Sequence, residues 1–174
     1  INDSFSLDKQ IFIKDGEKSR IMLNKLSEML EYTLVKNKVD AITVKDEMEM
    51  VDNYIDLSKI QLEARLKFVK EIEQETLINL IPPMTIQLLV ENAVKHGISN
   101  LKAGGVIKLN ISAKASMLLI EVKNTGNLLI NNGSTQIGLK NIKQRLHLLY
   151  GIKATFSLKE EEGEVIATIK IPLL

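Results

Sequence analysis

The first third of the chain spaces its apolar residues with the period of an amphipathic helix. From Glu17 to Leu34 they follow the i, i+4, i+8 spacing, and nothing inside that span breaks the pattern. These residues are Ile21, Met22, Leu26, Met29, Leu30 and Leu34. A second stripe follows Thr43 in VKDEMEMVDNYIDLSKIQLEARL, where Thr43 and Glu47 bracket an acid-rich first turn. Because the linker VKNKVDAI is short, we expect the two helices to pack as an antiparallel hairpin.

Behind Arg65 the period changes to two. LKFVKEI, VIKLNISA, MLLIEVKN, ATFSLKEE and EVIATIKIP alternate apolar and polar residues to varying degrees, which predicts five strands. The short separators AKASM and KEEEGEV predict that strands two and three, and strands four and five, form antiparallel hairpins. Helical spacing returns at residues 83–97 and at about 138–150.

This order of elements predicts the fold class. Strands joined in hairpins cannot all be connected by crossovers, so we expect an α+β protein with a mixed sheet and helices on one face, a two-layer α/β sandwich. The change of period divides the chain into a helical hairpin, residues 1–64, and a sheet domain, residues 65–174.

Composition excludes several classes of function. The 174 residues are 45% hydrophobic and 26% charged, enough for a core, and the net charge of +1 creates no field that would gather nucleic acid. No stretch reaches the roughly 18 apolar residues of a membrane span. The absence of cysteine excludes disulfides and thiolate metal sites, and His96 and His147 are poor material for zinc. Ile1 opens the chain without a signal peptide, so we expect a piece of a longer protein.

The helix at 83–97 carries the first candidate site. Asn92, Lys95 and His96 stand at i, i+3 and i+4 and share a polar face, with Glu91 beside them. This is either the solvated side of an amphipathic helix with Gly97 as its C-cap, or an anion and metal site. An amide oxygen suits Mg²⁺, cationic side chains suit phosphate, and Glu91 could accept a proton or hold a water.

Two further stretches are weaker signals when taken alone. EVKNTGN ends a strand at Asn124, and Gly126 permits a sharp turn or a close approach to a flat ligand. GSTQIGLKNIKQRL contains Gly133 and Gly138 and runs into a helix, whose free N–H groups can bind phosphate.

Taken in order, these motifs resemble a known family. IPPMTIQLLVENAVKHGI, then LLIEVKNTGN, then IGLKNIKQRLHLLYG, followed by two strands ending in IKIP, is similar to the ATP-binding domain of LytS-type sensor histidine kinases. That domain has the Bergerat-type fold of the gyrase, Hsp90, histidine kinase and MutL superfamily. MLNKLSEMLEYTL and the helix behind Thr43 resemble the dimerisation-type helical segment that precedes it, so the resemblance covers nearly the whole chain.

The resemblance implies a Mg·ATP site. Asn92 would coordinate Mg²⁺ on the ATP phosphates, and Glu91 would be a secondary candidate for a catalytic base. The other implied nucleotide-binding residues are Lys95 and His96 on the same helix face, Asn124 and Gly126 at the adenine pocket, Gly138 and Leu139 in a glycine-rich lid, and Asn141 and Arg145 on the helix behind it.

Three departures from the family pattern stand out. Asn124 takes the place of the usual aspartate, so it would accept the adenine amino hydrogen without charge. Gln136 stands where a glycine is usual. The Pro-His-Phe-like motif with the acceptor histidine is missing; Ile1 and Asn2 resemble the residues just downstream of it, and neither His96 nor His147 is expected to replace it.

The implied function is the catalytic part of a two-component kinase, in which the γ-phosphoryl group of ATP passes to a histidine outside this chain and then to a response regulator, expected to be of the LytTR type. The parent would be a homodimeric inner-membrane sensor whose cytoplasmic portion includes this chain. We expect an apolar dimer seam at Leu26, Leu30, Val51 and Ile55.

Two alternatives remain. The chain could be a degenerate kinase-like domain that acts as a dimerising, protein-binding regulator. An ATP-hydrolysing relative is disfavoured, because Leu88 stands where those proteins place a water-activating glutamate.

Overall fold

The computed structural model describes residues 16, 19–27, 39–128 and 134–173. Residues 19–27 are helical. The longer helices that follow are α1 (Val44–Leu62), α2 (Thr85–Asn92) and α3 (Ser134–Tyr150). The strands are β1 (Ile42–Thr43), β2 (Leu66–Ile72), β3 (Leu80–Ile81), β4 (Gly105–Lys114), β5 (Met117–Thr125), β6 (Thr155–Glu161) and β7 (Glu164–Pro172).

The two helices of the predicted hairpin lie side by side where both are described. The Thr43 hydroxyl accepts a hydrogen bond from the Asp46 N–H at 3.0 Å and caps α1, as the acid-rich first turn indicates. Lys25 donates to Asn53 at 3.1 Å and to Asp56 at 2.9 Å, which ties residues 19–27 to α1. The rest of the helix predicted from Glu17 to Leu34 lies outside the described residues.

The mixed sheet is confirmed. Its order is β2-β4-β5-β7-β6, with β2 and β4 parallel and every other pair antiparallel. Both predicted hairpins, β4–β5 and β6–β7, are present. Along β5 buried residues alternate strictly with partly exposed ones, so one face of the sheet carries the core. The helices cover that face, and the fold is the expected α+β arrangement.

Element boundaries differ from the prediction in three places. β1 and β3 form a two-stranded antiparallel ladder that was not predicted, since two residues are too few to show a period. The helix expected over 83–97 is α-helical over Thr85–Asn92, continues as a π-helical turn over Ala93–Gly97 and ends in a 3₁₀ turn over Ile98–Asn100. Helix α3 begins at Ser134, so Gly138 and Leu139 are helical and not part of a loop.

The core crosses the hairpin and the sheet. Buried side chains of α1, among them Val44, Met48 and Leu62, belong to the same apolar cluster as α2 and the sheet. Val51 and Ile55 lie in this cluster with exposures of 0% and 2%, so the dimer seam expected at these two residues is wrong. The apolar stripe of α1 is therefore buried inside this chain.

No helix in the described ranges combines the length and apolarity that a membrane crossing requires.

Candidate functional site

Helix α2 and its π-helical extension lie against the sheet on their apolar side. The predicted apolar arc is confirmed, because Ile86, Leu89, Val90, Ala93 and Val94 are all buried. The predicted polar face is confirmed in part, since Lys95 is exposed whereas Asn92 and His96 are half-buried. Gly97 has a φ of −94° and is buried, so it is not a left-handed C-cap.

A cleft opens between this helix and the ends of the central strands. Its lining combines residues of α2 and the π turn with β5, α3, β6 and β7: Leu89, Asn92, Ala93, His96, Gly97, Val122, Asn124, Asn127, Leu128, Leu139, Leu158, Val165 and Ala167. We call it the nucleotide-type cleft. It brings together four of the predicted site residues, namely Asn92, His96, Asn124 and Leu139.

Asn124 is a buried polar residue in the lining of the cleft. It sits on β5 between Ile107 of β4 and Val165 of β7, and is only 5% exposed. Its Nδ2 donates to the Thr125 carbonyl at 3.0 Å, an acceptor that fixes which way the amide faces. Among the described residues no donor reaches its Oδ1. Within the described part of the chain, the cleft therefore contains a buried acceptor without a donor.

Two glycines allow the π turn to approach the end of β5. A Cβ on Gly97 would lie 2.3 Å from Asn124 Nδ2 and 3.0 Å from its Cγ, so a side chain at this position would displace the Asn124 amide. Gly126 has a φ of +124°, a conformation suited to glycine, and its N–H donates to the Gly163 carbonyl at 3.0 Å. The predicted turn at Gly126 is confirmed, and it sits beside the cleft instead of among the lining residues.

Glu91 faces away from the cleft, towards α1. Gln87 Nε2 donates to its carboxylate at 2.8 Å, and its charge adds to the burial that raises the pKa of Tyr54 on α1 to about 12. Burial also raises the pKa of Glu91 itself. Burial, followed by the nearby charge of Lys95, lowers the pKa of the His96 imidazole, which favours its neutral form.

Helix α3 contributes one lining residue, Leu139. Gly138 packs beside Leu88, and Asn141 is exposed. Arg145 lies outside the cleft lining and donates from Nη1 to the Pro83 carbonyl at 3.1 Å, just before α2. The side chain of Gln136, and Gly133, lie outside the described part of the chain.

Glu47 is the residue that sequence reasoning missed. It is fully buried, and its two carboxylate oxygens accept hydrogen bonds from the first backbone N–H groups of α2. Oε2 accepts from Met84 at 3.0 Å, and Oε1 accepts from Ile86 at 2.8 Å and Gln87 at 3.1 Å. Met84 itself has a left-handed φ of 64° and its side chain makes no cap. A carboxylate on another helix thus does the work of an N-cap.

The electrostatics of Glu47 follow from this position. Burial raises its pKa to about 7, while the three N–H donors and the charge of Arg145 act in the opposite direction. A sequence signal for it does exist. Glu47 stands at i+3 from Val44, inside the apolar stripe of α1, and Met84 offers no capping side chain to the helix that begins beside it.

The described residues contain no group of three or more His, Cys, Asp or Glu side chains placed to hold a metal ion. The cleft does offer the Asn92 amide, whose oxygen is a hard ligand. That donor set fits Mg²⁺, which keeps several waters and is commonly held through few protein ligands together with substrate phosphates.

Comparison with known proteins agrees with the α+β fold. The family model for histidine kinase matches residues 5–66. The sensor protein LytS of Staphylococcus epidermidis is 28% identical over 171 residues, covering 91% of this chain and 29% of LytS. The catalytic domain of histidine kinase ThkA matches with a TM-score of 0.59 at 16% identity, over 76% of this chain and 94% of that one. ThkA in complex with the response regulator protein TrrA matches at 0.58 and 18% identity, over 100% of this chain and 53% of that one.

The chain therefore shares the fold of a histidine kinase catalytic domain. The LytS-type resemblance read from its motifs is confirmed by the family model and the relatives, and this chain spans less than a third of the length of LytS.

Proposed function

We propose that the nucleotide-type cleft binds Mg·ATP, and that the full protein transfers the γ-phosphoryl group to a histidine outside this chain. One observation carries the proposal: Asn92 and the unpaired Oδ1 of buried Asn124 line the same cleft. A purine amino group would give Asn124 Oδ1 the donor it lacks, and satisfying a buried acceptor favours binding.

Each end of the cleft would have its own task. Asn92 Oδ1 would hold Mg²⁺, which neutralises charge on the phosphate oxygens when it is bound. Lys95 and His96 follow on the next turn, where a cation and a ring N–H can meet phosphate oxygens. Gly126 beside Asn124 would leave room for the base, and a lid role for Gly138 and Leu139 with Asn141 and Arg145 stays a prediction.

The chemistry would be a simple displacement. A ring nitrogen of the acceptor histidine forms the new P–N bond, the bond from the γ-phosphorus to the β–γ bridging oxygen breaks, and ADP leaves. Because a neutral imidazole is already a nucleophile, the site contributes positioning and charge stabilisation. A role for Glu91 as a base stays a prediction, and its contact with Gln87 away from the cleft does not favour it.

The phosphoryl group would then pass to an aspartate of a response regulator. The complex of ThkA with its response regulator TrrA supports a partner of this class. A LytTR-type regulator, a homodimeric parent and an inner-membrane sensor with this chain on the cytoplasmic side complete the proposal. LytS is a sensor protein, which supports the sensory role of the parent.

A degenerate regulator with the same fold is the second candidate. It is favoured by Asn124, which gives the buried end of the cleft an uncharged acceptor where the resembled family has a carboxylate.

Calorimetric titration with a non-hydrolysable ATP analogue and Mg²⁺ separates the two. A kinase site predicts saturable binding that Asn92→Ala abolishes and Asn110→Ala preserves, since Asn110 lies on β4 outside the cleft. Absence of binding at millimolar analogue, in a sample with a cooperative unfolding transition, would contradict the kinase proposal and favour the regulator.

A further inference from the structure

We propose that Glu47 is a positioning residue of the nucleotide site, whose carboxylate on α1 sets the position of Asn92 at the far end of α2. The part that concerns nucleotide rests on the proposed function. The part that concerns Asn92 stands on geometry alone.

Glu47 attaches the start of α2 firmly to α1. Both oxygens of one buried carboxylate accept from three backbone N–H groups at the start of α2, at 2.8 to 3.1 Å. Because three N–H donors of α2 converge on the two oxygens of one side chain, α1 cannot move without carrying the start of α2 with it. The start of α2 therefore has little freedom to move independently of α1.

Helix α2 is short. Helix α2 has 8 residues, from Thr85 to Asn92, so its two ends are only about 10 Å apart. A rigid segment this short carries a displacement of its first turn to its last residue. Asn92 then shifts against Asn124, which the β5 ladder holds in place.

A second contact comes from α3. Arg145 donates to the Pro83 carbonyl at 3.1 Å, and its charge acts on Glu47. The Thr85 hydroxyl donates to the Pro82 carbonyl at 2.6 Å and closes the turn that leads from Pro82 into α2. The start of α2 is thus held between α1 and α3, and a movement of α1 would reach the cleft through Glu47.

The test compares two substitutions on α1. Glu47→Gln keeps the size of the side chain but replaces one accepting oxygen with an NH₂ group, which cannot accept a hydrogen bond from a backbone N–H. Glu49→Gln removes an exposed carboxylate from the same helix. We expect Glu47→Gln to weaken binding of the Mg²⁺-loaded ATP analogue about tenfold, which corresponds to the loss of one such bond. Binding of the Mg²⁺-free analogue should match that of Glu49→Gln, because Asn92 acts through the metal.

Equal weakening with and without Mg²⁺ would indicate general destabilisation and overturn the inference. So would equal binding by the two variants. If Glu47→Gln does not fold, Glu47→Asp keeps the charge on a shorter side chain and is measured in the same way.

A second readout needs no nucleotide, so it stands if the proposed function fails. In ¹H–¹⁵N spectra of the free protein, Glu47→Gln should shift the Asn92 side-chain amide and the backbone signals of residues 93–97, with Glu49→Gln leaving them unchanged. Shifts confined to residues 84–87 would show that the effect ends at the first turn, and would overturn the inference whatever the titration gives.

Discussion

The nitrogen and the oxygen of the Asn124 side-chain amide have different surroundings. Its Nδ2 satisfies the Thr125 carbonyl at 3.0 Å, and its Oδ1 is left for the cleft. In Asn124→Asp the donor is lost, and two buried acceptors face each other. We expect the free energy of unfolding to fall by about 1–3 kcal/mol at pH 7 without nucleotide, as measured by urea denaturation.

Asn100→Asp is the matched control for that substitution. The Asn100 amide also donates to a carbonyl, that of His96 at 3.0 Å, but at an exposed site where water can replace the bond. The free energy of unfolding should fall by less than about 0.5 kcal/mol in Asn100→Asp. Equal losses for the two variants would mean that burial of the Asn124 amide contributes nothing.

Gly97 and Gly138 give a second pair of opposite expectations. Ala at position 97 would put its Cβ 2.3 Å from Asn124 Nδ2, and the cost of such overpacking is about 1–3 kcal/mol. Ala at position 138 would meet Leu88 Cδ2 at 4.0 Å inside a helix, where replacing glycine adds about 0.5–1 kcal/mol of stability. Thermal or urea unfolding of the two variants checks both signs, and a stabilising Gly97→Ala would contradict the close approach.

At the scale of elements, what the sequence predicted well is what is local. The apolar periods of 3.6 residues for a helix and 2 for a strand depend only on residues within one segment. For this reason α1 and the five strands of the main sheet were predicted with small errors at their ends. The capping of α2 was not found, because Glu47 and its partners are 37 to 40 residues apart. The motif resemblance pointed to Asn92 and Asn124, which line the cleft, but it gave no sign of what holds α2 in place.

Burial of the Glu47 carboxyl group should make stability depend on pH. Its pKa is raised from 4.5 to about 7 by burial, so between these values the folded chain keeps a proton that the unfolded chain has lost. The contribution of Glu47 to the free energy of unfolding is therefore fully present below about pH 4.5, and it falls as the pH rises to about 7, by on the order of 3 kcal/mol.

Urea denaturation of the wild type and Glu47→Gln from pH 5 to pH 8 measures this effect. Other titrating groups, including Glu91 and His96, are present in both proteins and cancel in the difference. The advantage of the wild type should shrink up to about pH 7 and then level off. An advantage that grows with pH would mean that the N–H donors and Arg145 outweigh burial.

At the scale of the whole molecule, the division between residues 64 and 65 stays a prediction of where the ATP-binding fold begins. The apolar core does not follow that division, since α1 packs on α2 and the sheet within one cluster. The change of period at Arg65 marks a change of secondary structure, and a sequence pattern alone does not reveal which elements share a core.

Truncation tests how far α1 belongs to the folded unit. Removing residues 1–64 would uncover the surface that Val44, Met48, Val51, Ile55 and Leu62 now cover. At about 2 kcal/mol for each buried side chain, the loss is on the order of the whole stability of a domain, about 5–15 kcal/mol. We expect residues 65–174 to lack a cooperative unfolding transition by circular dichroism, and residues 39–174, which keep α1 and Glu47, to retain one. A cooperative transition in the shorter fragment would show that α1 is dispensable for the fold.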